Sequence, residues 1–275
     1  MRTPGDAGSP AAPRLATPLE RTALCLDFDG TLAPIVPDPE AARPLEGTME
    51  LLGRLAARAA AVAVISGRPA AFLAAQVAVA EAEAGAEAGV QLLGLYGLEE
   101  VRDGQVQMDP ALAAAQPAVR AALADLQAAP AVLESGAYLE DKGNALGVHL
   151  RRVAEPERWA APIDATVREV ASSHGLEILT GKLVWELKPA VRRDKGDAVR
   201  QVVASSGASA VLVAGDDRGD LPAFDAVAEL AERSGVEGLR IAVGSSEAPP
   251  ELLASADLVV DGPPGLRAYL ETLLV

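Results

Sequence analysis

Cysteine is nearly absent from this chain: Cys25 stands alone. No internal disulfide can form, and the chain reads as one suited to a reducing compartment, the cytoplasm. Cys25 lies inside an apolar run and reads as core. Aromatic residues are scarce, at 3% of 275 residues. With 50% of residues hydrophobic, Ala, Val and Leu must fill the interior, which suits helices laid on a parallel sheet. The length allows one large domain or two modest ones. Positive charge is in short supply too. Lys and Arg total 24 against 39 Asp and Glu, a net charge of −15, and no stretch gathers into the basic stripe that nucleic acid requires. No apolar run is long enough to span a bilayer. The opening "MRTPGDAGSPAAPRLATPLE" is interrupted by Pro and Gly and has no continuous apolar core, so residues 1–20 read as a flexible tail rather than a signal peptide. Neither nucleic acid nor a membrane is expected as a partner.

What is present alternates. Residues 23–28 read as a buried strand, followed by a Pro-rich acidic loop to Gly47 and a helix over 48–58. "AAVAVIS" is a second buried strand ending at Ser66. A helix begins at Pro69 and frays into the Ala/Glu tract "VAEAEAGAEAG", and "VQLLGLYG" is a third strand. This β-α-β-α-β order is the signature of a doubly wound parallel sheet. Then the rhythm breaks. "EEVRDGQVQ" reads as a hairpin about Asp-Gly. A helix at 111–127 follows, then short strands "AVLES", "AYLEDK" and "ALGVHLR", a helix at 157–173, and strands "LEIL" and "LVWEL" joined by Thr-Gly. After Pro189 the alternation returns with a helix at 196–205, strand "AVLVAG", a helix near 222–232, strands "RIAVG" and "DLVV", and a final short helix. The expected fold is α/β: a doubly wound, Rossmann-like parallel sheet over residues 21–106 and 189–275, interrupted by an inserted α+β cap domain over 107–188.

In open parallel sheets, ligands bind beyond the carboxyl ends of the strands. The polar clusters fall at such ends: Asp27 and Asp29 after the first strand, Ser66, Gly67 and Arg68 after the second, and "GDDRGD" after the strand "AVLVAG". Carboxylates at the tip of a buried strand are costly to desolvate, so a compensating partner is expected. Asp27 and Asp29, two apart, leave an extended segment on the same side. One can attack phosphorus; the other can protonate a leaving sugar oxygen and later deprotonate water. Gly30 frees the turn, and the backbone N–H groups beyond it, beginning with Thr31, can cradle phosphate oxygens. Magnesium takes oxygen ligands and keeps several waters; Asp27, the Asp29 carbonyl and Asp216 would hold it. Each feature alone has a plainer explanation: an Asp-Gly turn, a lead into the helix that Pro69 begins, a solvated Lys195 at a helix start, Asp220 as an N-cap. Their order and their common position after strands favour one site.

"DFDGTL" resembles the first motif of the haloacid dehalogenase-like phosphatases. The resemblance implies Asp27 as nucleophile and Asp29 as acid/base. Ser66 in "ISGR" matches the second motif, a hydroxyl on the transferring phosphate. Lys195 in "DKG" matches the third, a cation that orients the nucleophile. "GDDRGD" matches the fourth, with Asp216 on magnesium and Asp217 and Asp220 in support.

In the insertion, Tyr138, Glu140 and Lys142 share one strand face, His149 and Arg151 share another opposite Leu146, Val148 and Leu150, and Glu186 lies opposite Leu183, Trp185 and Leu187. Periodicity alone leaves this as either an ordinary solvent face or a sugar-binding surface. Taken together, "DFDGTLAPIV", "ISGR", "GLYGLEE", "YLEDKGNALGVHLR", "GKLVWELKP", "KG" and "GDD" resemble trehalose-6-phosphate phosphatases over nearly the whole chain after the tail. That resemblance implies disaccharide contacts from Glu140, Lys142 and Glu186, with His149, Arg151 and Arg68 also in substrate binding. It also implies magnesium-dependent hydrolysis of trehalose 6-phosphate through an aspartyl-phosphate. A monomer is expected, with functional coupling to a trehalose-phosphate synthase. The chain departs from the usual pattern at Gly219 and Leu221, at Tyr96 where a histidine is usual, and at Lys188 for the usual Arg. The other readings are a related phosphatase for a glycosylglycerate or sucrose phosphate, and a non-catalytic sugar-phosphate sensor.

Overall fold

The computed structural model describes residues 13–84, 89–246 and 248–275. These fall into two compact units, one of the described residues up to Gln107 together with Arg193–Val275, the other Met108–Arg192. The elements of the first run β1 (Thr22–Leu26), α1 (Thr48–Ala56), β2 (Ala61–Ile65), α2 (Ala70–Ala84), β3 (Gln91–Gly94), β4 (Glu99–Arg102) and β5 (Gln105–Met108). The insertion holds α3 (Pro110–Ala128), α4 (Pro130–Ser135), β6 (Tyr138–Asp141), β7 (Leu146–His149), α5 (Pro156–His174), β8 (Leu176–Gly181) and β9 (Val184–Pro189). The first unit resumes with α6 (Lys195–Ser206), β10 (Ala210–Gly215), α7 (Leu221–Ser234), β11 (Glu237–Gly244), α8 (Pro250–Ser255), β12 (Leu258–Asp261) and α9 (Gly262–Glu271).

β1, β2 and β10 are buried at every residue, as only strands covered on both faces can be. Their side chains alternate between two cores. Leu24 and Leu26 pack with Leu52 and Leu55 of α1, Leu73 of α2 and Leu266 of α9. Ala23 and Cys25 face Val199 and Val202 of α6, Phe224 of α7 and Leu252 of α8. Large residues on one face and small ones on the other let both helical layers close on one sheet. The strand order is β12-β11-β10-β1-β2-β3-β4-β5, parallel from β12 to β3, with β4 antiparallel to β3. Leu26 pairs with both Ala214 and Val64, so the carboxyl ends of β10, β1 and β2 finish level. This register brings the three polar turns to one edge.

In the second unit β6-β7-β9-β8 form an antiparallel sheet. Leu146, Val148, Trp185 and Leu187 on one face pack against Leu126 of α3 and Ile163 and Val167 of α5. The expected α/β fold with an inserted α+β module is the one observed. Among the described residues no helix is long and apolar enough to cross a membrane.

Several local expectations are corrected. "AVLES" is a helix: Pro130 opens α4 with its fixed φ, and Gly136, at φ 69°, ends it by donating N–H to Val132 O. Thr180 and Gly181 belong to β8, and the turn is made by Lys182 and Leu183, Leu183 at φ 60°. The strand expected through Gly97 stops at Gly94, where the chain enters a left-handed bend. α8 was not anticipated. Of the tail 1–20, residues 1–12 lie outside the described residues, as does part of the Ala/Glu tract. The remainder of the tail is tied down: Ala16 and Thr17 donate their N–H groups to Glu237 at 2.6 and 2.8 Å.

Candidate active site

Asp27 follows β1 directly, its N–H bonded to Ala214 O, and its side chain is 7% exposed. The partner that offsets this burial comes from far along the chain. Asp194 caps α6 through the Asp197 N–H, and this fixes Lys195 in the first turn. Lys195 Nζ lies 2.7 Å from Asp27 Oδ1 and 2.5 Å from Asp220 Oδ1. Burial alone would lower the Lys195 pKa; the two carboxylates outweigh it and hold the ammonium above its usual range. Asp220 accepts three hydrogen bonds. Its second oxygen accepts N–H bonds from Asp216 and Asp217 at 2.9 and 3.1 Å, so it ties the turn after β10 to Lys195.

Asp216 completes the cluster. Thr31 Oγ1, fully buried, sits 3.4 Å from Asp27 Oδ2 and 3.3 Å from Asp216 Oδ1, and can donate to one at a time. Gly30 is required here. It sits at φ 74°, and a Cβ on it would stand 2.0 Å from Asp216 Oδ2. Burial, opposed by Lys195, pushes the Asp27 carboxyl up to about 6. Burial, then the negative charges of Asp220 and Asp217, raise Asp216 to about 6 as well. Asp220 is raised to about 7, by burial and then Asp27.

Asp29 points to a different neighbour. Arg68 Nε and Nη2 donate to its two oxygens, each at 3.0 Å. The Arg68 N–H bonds Ser66 Oγ at 3.1 Å. Ser66 and Gly67 form the turn after β2. A cavity of about 780 Å³ opens here, with Asp27, Asp29, Ser66, Arg68, Lys195 and Asp216 on its wall. Asp217 also lines it, while its carboxylate caps the Gly219 N–H at 2.8 Å.

The residues expected in the insertion form their own cluster. Glu140 Oε2 lies 2.9 Å from His149 Nε2, and Lys142 Nζ lies 2.5 Å from Glu186 Oε2 and 3.9 Å from Glu140 Oε2. Glu140, Gly147 and Glu186 are register partners across β6, β7 and β9, which puts the two carboxylates on one face. Arg151 is not part of it. It lies beyond the end of β7 and donates Nε to Lys182 O at 3.4 Å.

The donor set suits a hard divalent cation. Carboxylate oxygens of Asp27, Asp216 and Asp220 come within 4.8 Å of one another. One ammonium pairs directly with two of these carboxylates, and burial first, then their mutual repulsion, raises all three. Asp220 already accepts three hydrogen bonds, so Asp27 and Asp216 are the carboxylates more available as ligands, and oxygen donors of this kind fit Mg²⁺. Tyr96, noted from the sequence only as a replacement of the usual histidine, and Ile35, which the sequence did not mark at all, also line the cavity. Tyr96 stood in a segment read as strand, and Ile35 in a loop without periodicity.

The family model described as trehalose-phosphatase matches residues 25–257. A trehalose-phosphate phosphatase of Mycolicibacterium paratuberculosis is 34% identical over 258 residues, covering 91% of this chain and 61% of that protein. An "uncharacterized glycosyl hydrolase" of Mycobacterium tuberculosis is 39% identical over 216 residues, 75% of this chain but 15% of that protein. The chain thus spans only part of each of these relatives. Among solved structures, a trehalose-6-phosphate phosphatase of Aspergillus fumigatus superposes with a TM-score of 0.61 at 25% identity, covering 92% of this chain and 93% of that one. A haloacid dehalogenase-like hydrolase of Bacteroides thetaiotaomicron, with a TM-score of 0.57 at 14% identity, shares the fold.

Proposed function

Because the chain belongs to the trehalose-phosphatase family, we propose that it hydrolyses trehalose 6-phosphate to trehalose and inorganic phosphate in two steps at Asp27. The observation that carries the chemistry is the buried Asp27–Lys195–Asp220 row at the end of the central strand, opening into the cavity that Asp29 and Ser66 also line. Lys195 holds Asp27 Oδ1, which keeps the carboxylate ionised and aimed. Asp27 attacks phosphorus, and the bond to the sugar oxygen breaks as Asp29 gives that oxygen a proton. Asp29, now a carboxylate, takes a proton from water as the water attacks the phosphoryl-aspartate, and phosphate leaves with Asp27 restored. Ser66 Oγ binds a phosphoryl oxygen; the N–H groups of Thr31, Leu32 and Ala33, expected to cradle phosphate, instead turn to Phe28 O at 3.4, 2.9 and 2.9 Å. Mg²⁺ held by Asp27, Asp216 and the Asp29 carbonyl would supply positive charge beside those oxygens.

Fold alone does not choose the sugar. The polar face of the insertion, with Glu140, Lys142, His149 and Glu186, supports a substrate rich in hydroxyls. In this reading the protein is a cytoplasmic monomer that consumes the product of a trehalose-phosphate synthase. Phosphate release measured over trehalose 6-phosphate, sucrose phosphate, a phosphorylated glycosylglycerate and p-nitrophenyl phosphate tests it. The highest kcat/KM is expected on trehalose 6-phosphate; a clear preference for another phosphosugar would replace that assignment, and no release from any of them would leave the sensor reading.

A further inference from the structure

β3 ends at Gly94, and the chain does not stay extended. Leu95 and Tyr96 follow at φ 48° and 59°, two successive residues in the left-handed region that side chains normally avoid. Such backbone persists only where its surroundings over-determine it, and it concentrates at functional sites. The surroundings here are clear. The Leu95 N–H bonds Arg68 O and the Tyr96 N–H bonds Ser66 O, both at 2.9 Å, so the bend is bolted to the turn that follows β2. The result is a phenol ring laid over Gly67, where an added Cβ would stand 2.8 Å from Tyr96 Oη and 3.0 Å from Cζ. Gly67 does not need a positive φ; it leaves room for the ring.

Tyr96 lines the cavity that holds Asp27 and Asp29. Among the described residues its hydroxyl has no hydrogen-bond partner. Exposure grades along this wall: Ser66 is 2%, Lys195 6% and Asp27 7% exposed, whereas Tyr96 is 39% exposed. A phosphoryl group must reach the floor to meet Asp27, so the alcohol it esterifies stands at the level of Tyr96. A phenol offers a sugar both a donor and an apolar face.

We propose that Tyr96 is a substrate-binding residue at the mouth of this cavity, its hydroxyl donating to an oxygen of the phosphorylated sugar and not to the phosphoryl group. This rests on the phosphosugar reading above and adds a specificity element on the catalytic unit itself.

The test is Tyr96→Phe, which keeps the ring and the backbone and removes only the hydroxyl. Its kcat/KM is compared with wild type on trehalose 6-phosphate and on p-nitrophenyl phosphate, with thermal unfolding as a control on the fold. The ratio of sugar phosphate to aryl phosphate efficiency should fall roughly five- to tenfold, the loss of one uncharged hydrogen bond, and mainly through KM. An unchanged ratio, whether both efficiencies hold or both fall together, overturns the proposal. Wild-type protein that prefers a different phosphosugar sinks the trehalose assignment alone, and the Tyr96 ratio is then read on that sugar. Wild-type protein that cleaves only the aryl ester overturns both.

Discussion

Arg68 grips Asp29 by two parallel hydrogen bonds, Nε to Oδ2 and Nη2 to Oδ1, both 3.0 Å long. Arg68 is itself fixed, with its guanidinium carbon 4.6 Å from the Phe72 ring centroid and Nη2 donating to Pro39 O at 3.1 Å. Both Asp29 oxygens therefore accept from one planar fork, and each keeps a second lone pair for another partner. Arg68 thereby fixes the orientation of the carboxyl that the proposed reaction uses as its acid.

Arg68→Lys tests this relationship. A lysine keeps the charge but cannot make the fork or stack in the same way. Turnover of the sugar phosphate should fall by roughly tenfold, less than the ~10²–10⁴ that outright loss of an acid/base group costs, while the thermal midpoint stays close to wild type. An Arg68→Lys protein with wild-type kcat would show that the fork has no part in the reaction.

Asp220 is expected to matter for the fold as much as for the chemistry. It is 1% exposed and joins Lys195 to the N–H groups of Asp216 and Asp217. Asp220→Ala removes one partner of a buried pair, a change that costs about 3–5 kcal/mol. Chemical denaturation should show that loss. Stability within experimental error of wild type would mean the turn after β10 is held by something else.

The three raised carboxylates make the metal-free protein sensitive to pH. Asp27 and Asp216 sit at about 6 and Asp220 at about 7, each from an ordinary 3.8. Groups raised on folding contribute stability that is fully present below the unfolded value, about 4, and is lost as pH climbs through 6 to 7. Lys195, held above its ordinary range, stays charged throughout. With chelator present, the melting temperature should fall between about pH 5 and about pH 7.5, and Mg²⁺ should restore more of it at the higher pH. A rise over that window in chelator would contradict the charge balance described for this cluster.

Cys25 should be inert in the native state. Its thiol is 1% exposed, and burial pushes its pKa up to about 12. An aromatic disulfide reagent should titrate no thiol until denaturant is added. Fast reaction with the native protein would mean that β1 opens far more readily than a strand at the centre of a sheet should.

The sequence carried the turns but not what crosses between them. Asp27, Ser66 and Asp216 were legible because each closes an apolar run long enough to be a buried strand, and a parallel sheet places such ends together. The Arg68–Asp29 fork joins residues 39 apart in sequence, and no local pattern marks it. The same holds for Asp220 Oδ1, which meets Lys195 across 25 residues of sequence. "AVLES" shows the opposite failure: Ala, Val and Leu suit either structure, and the deciding signals were the flanking Pro130 and Gly136. Arg151 looked equivalent to His149 by its two-residue spacing, but β7 ends at His149 and the alternation ends with it. Tyr96 stood out only as a replacement of the usual histidine; its place in the cavity was not legible because nothing in "GLYG" forces a left-handed bend, which the hydrogen bonds to Ser66 and Arg68 do.

The most direct measurement is whether Asp27 carries the phosphoryl group during turnover. Wild-type protein mixed with trehalose 6-phosphate and Mg²⁺, quenched in acid within a turnover and digested, should yield a peptide containing Asp27 that has gained the mass of one phosphoryl group. The gain should vanish without substrate, and Asp27→Asn should neither gain it nor release phosphate, a loss on the order of 10³ or more. Steady release of phosphate from trehalose 6-phosphate by a well-folded Asp27→Asn protein, or a phosphoryl group found on another residue, would contradict the account.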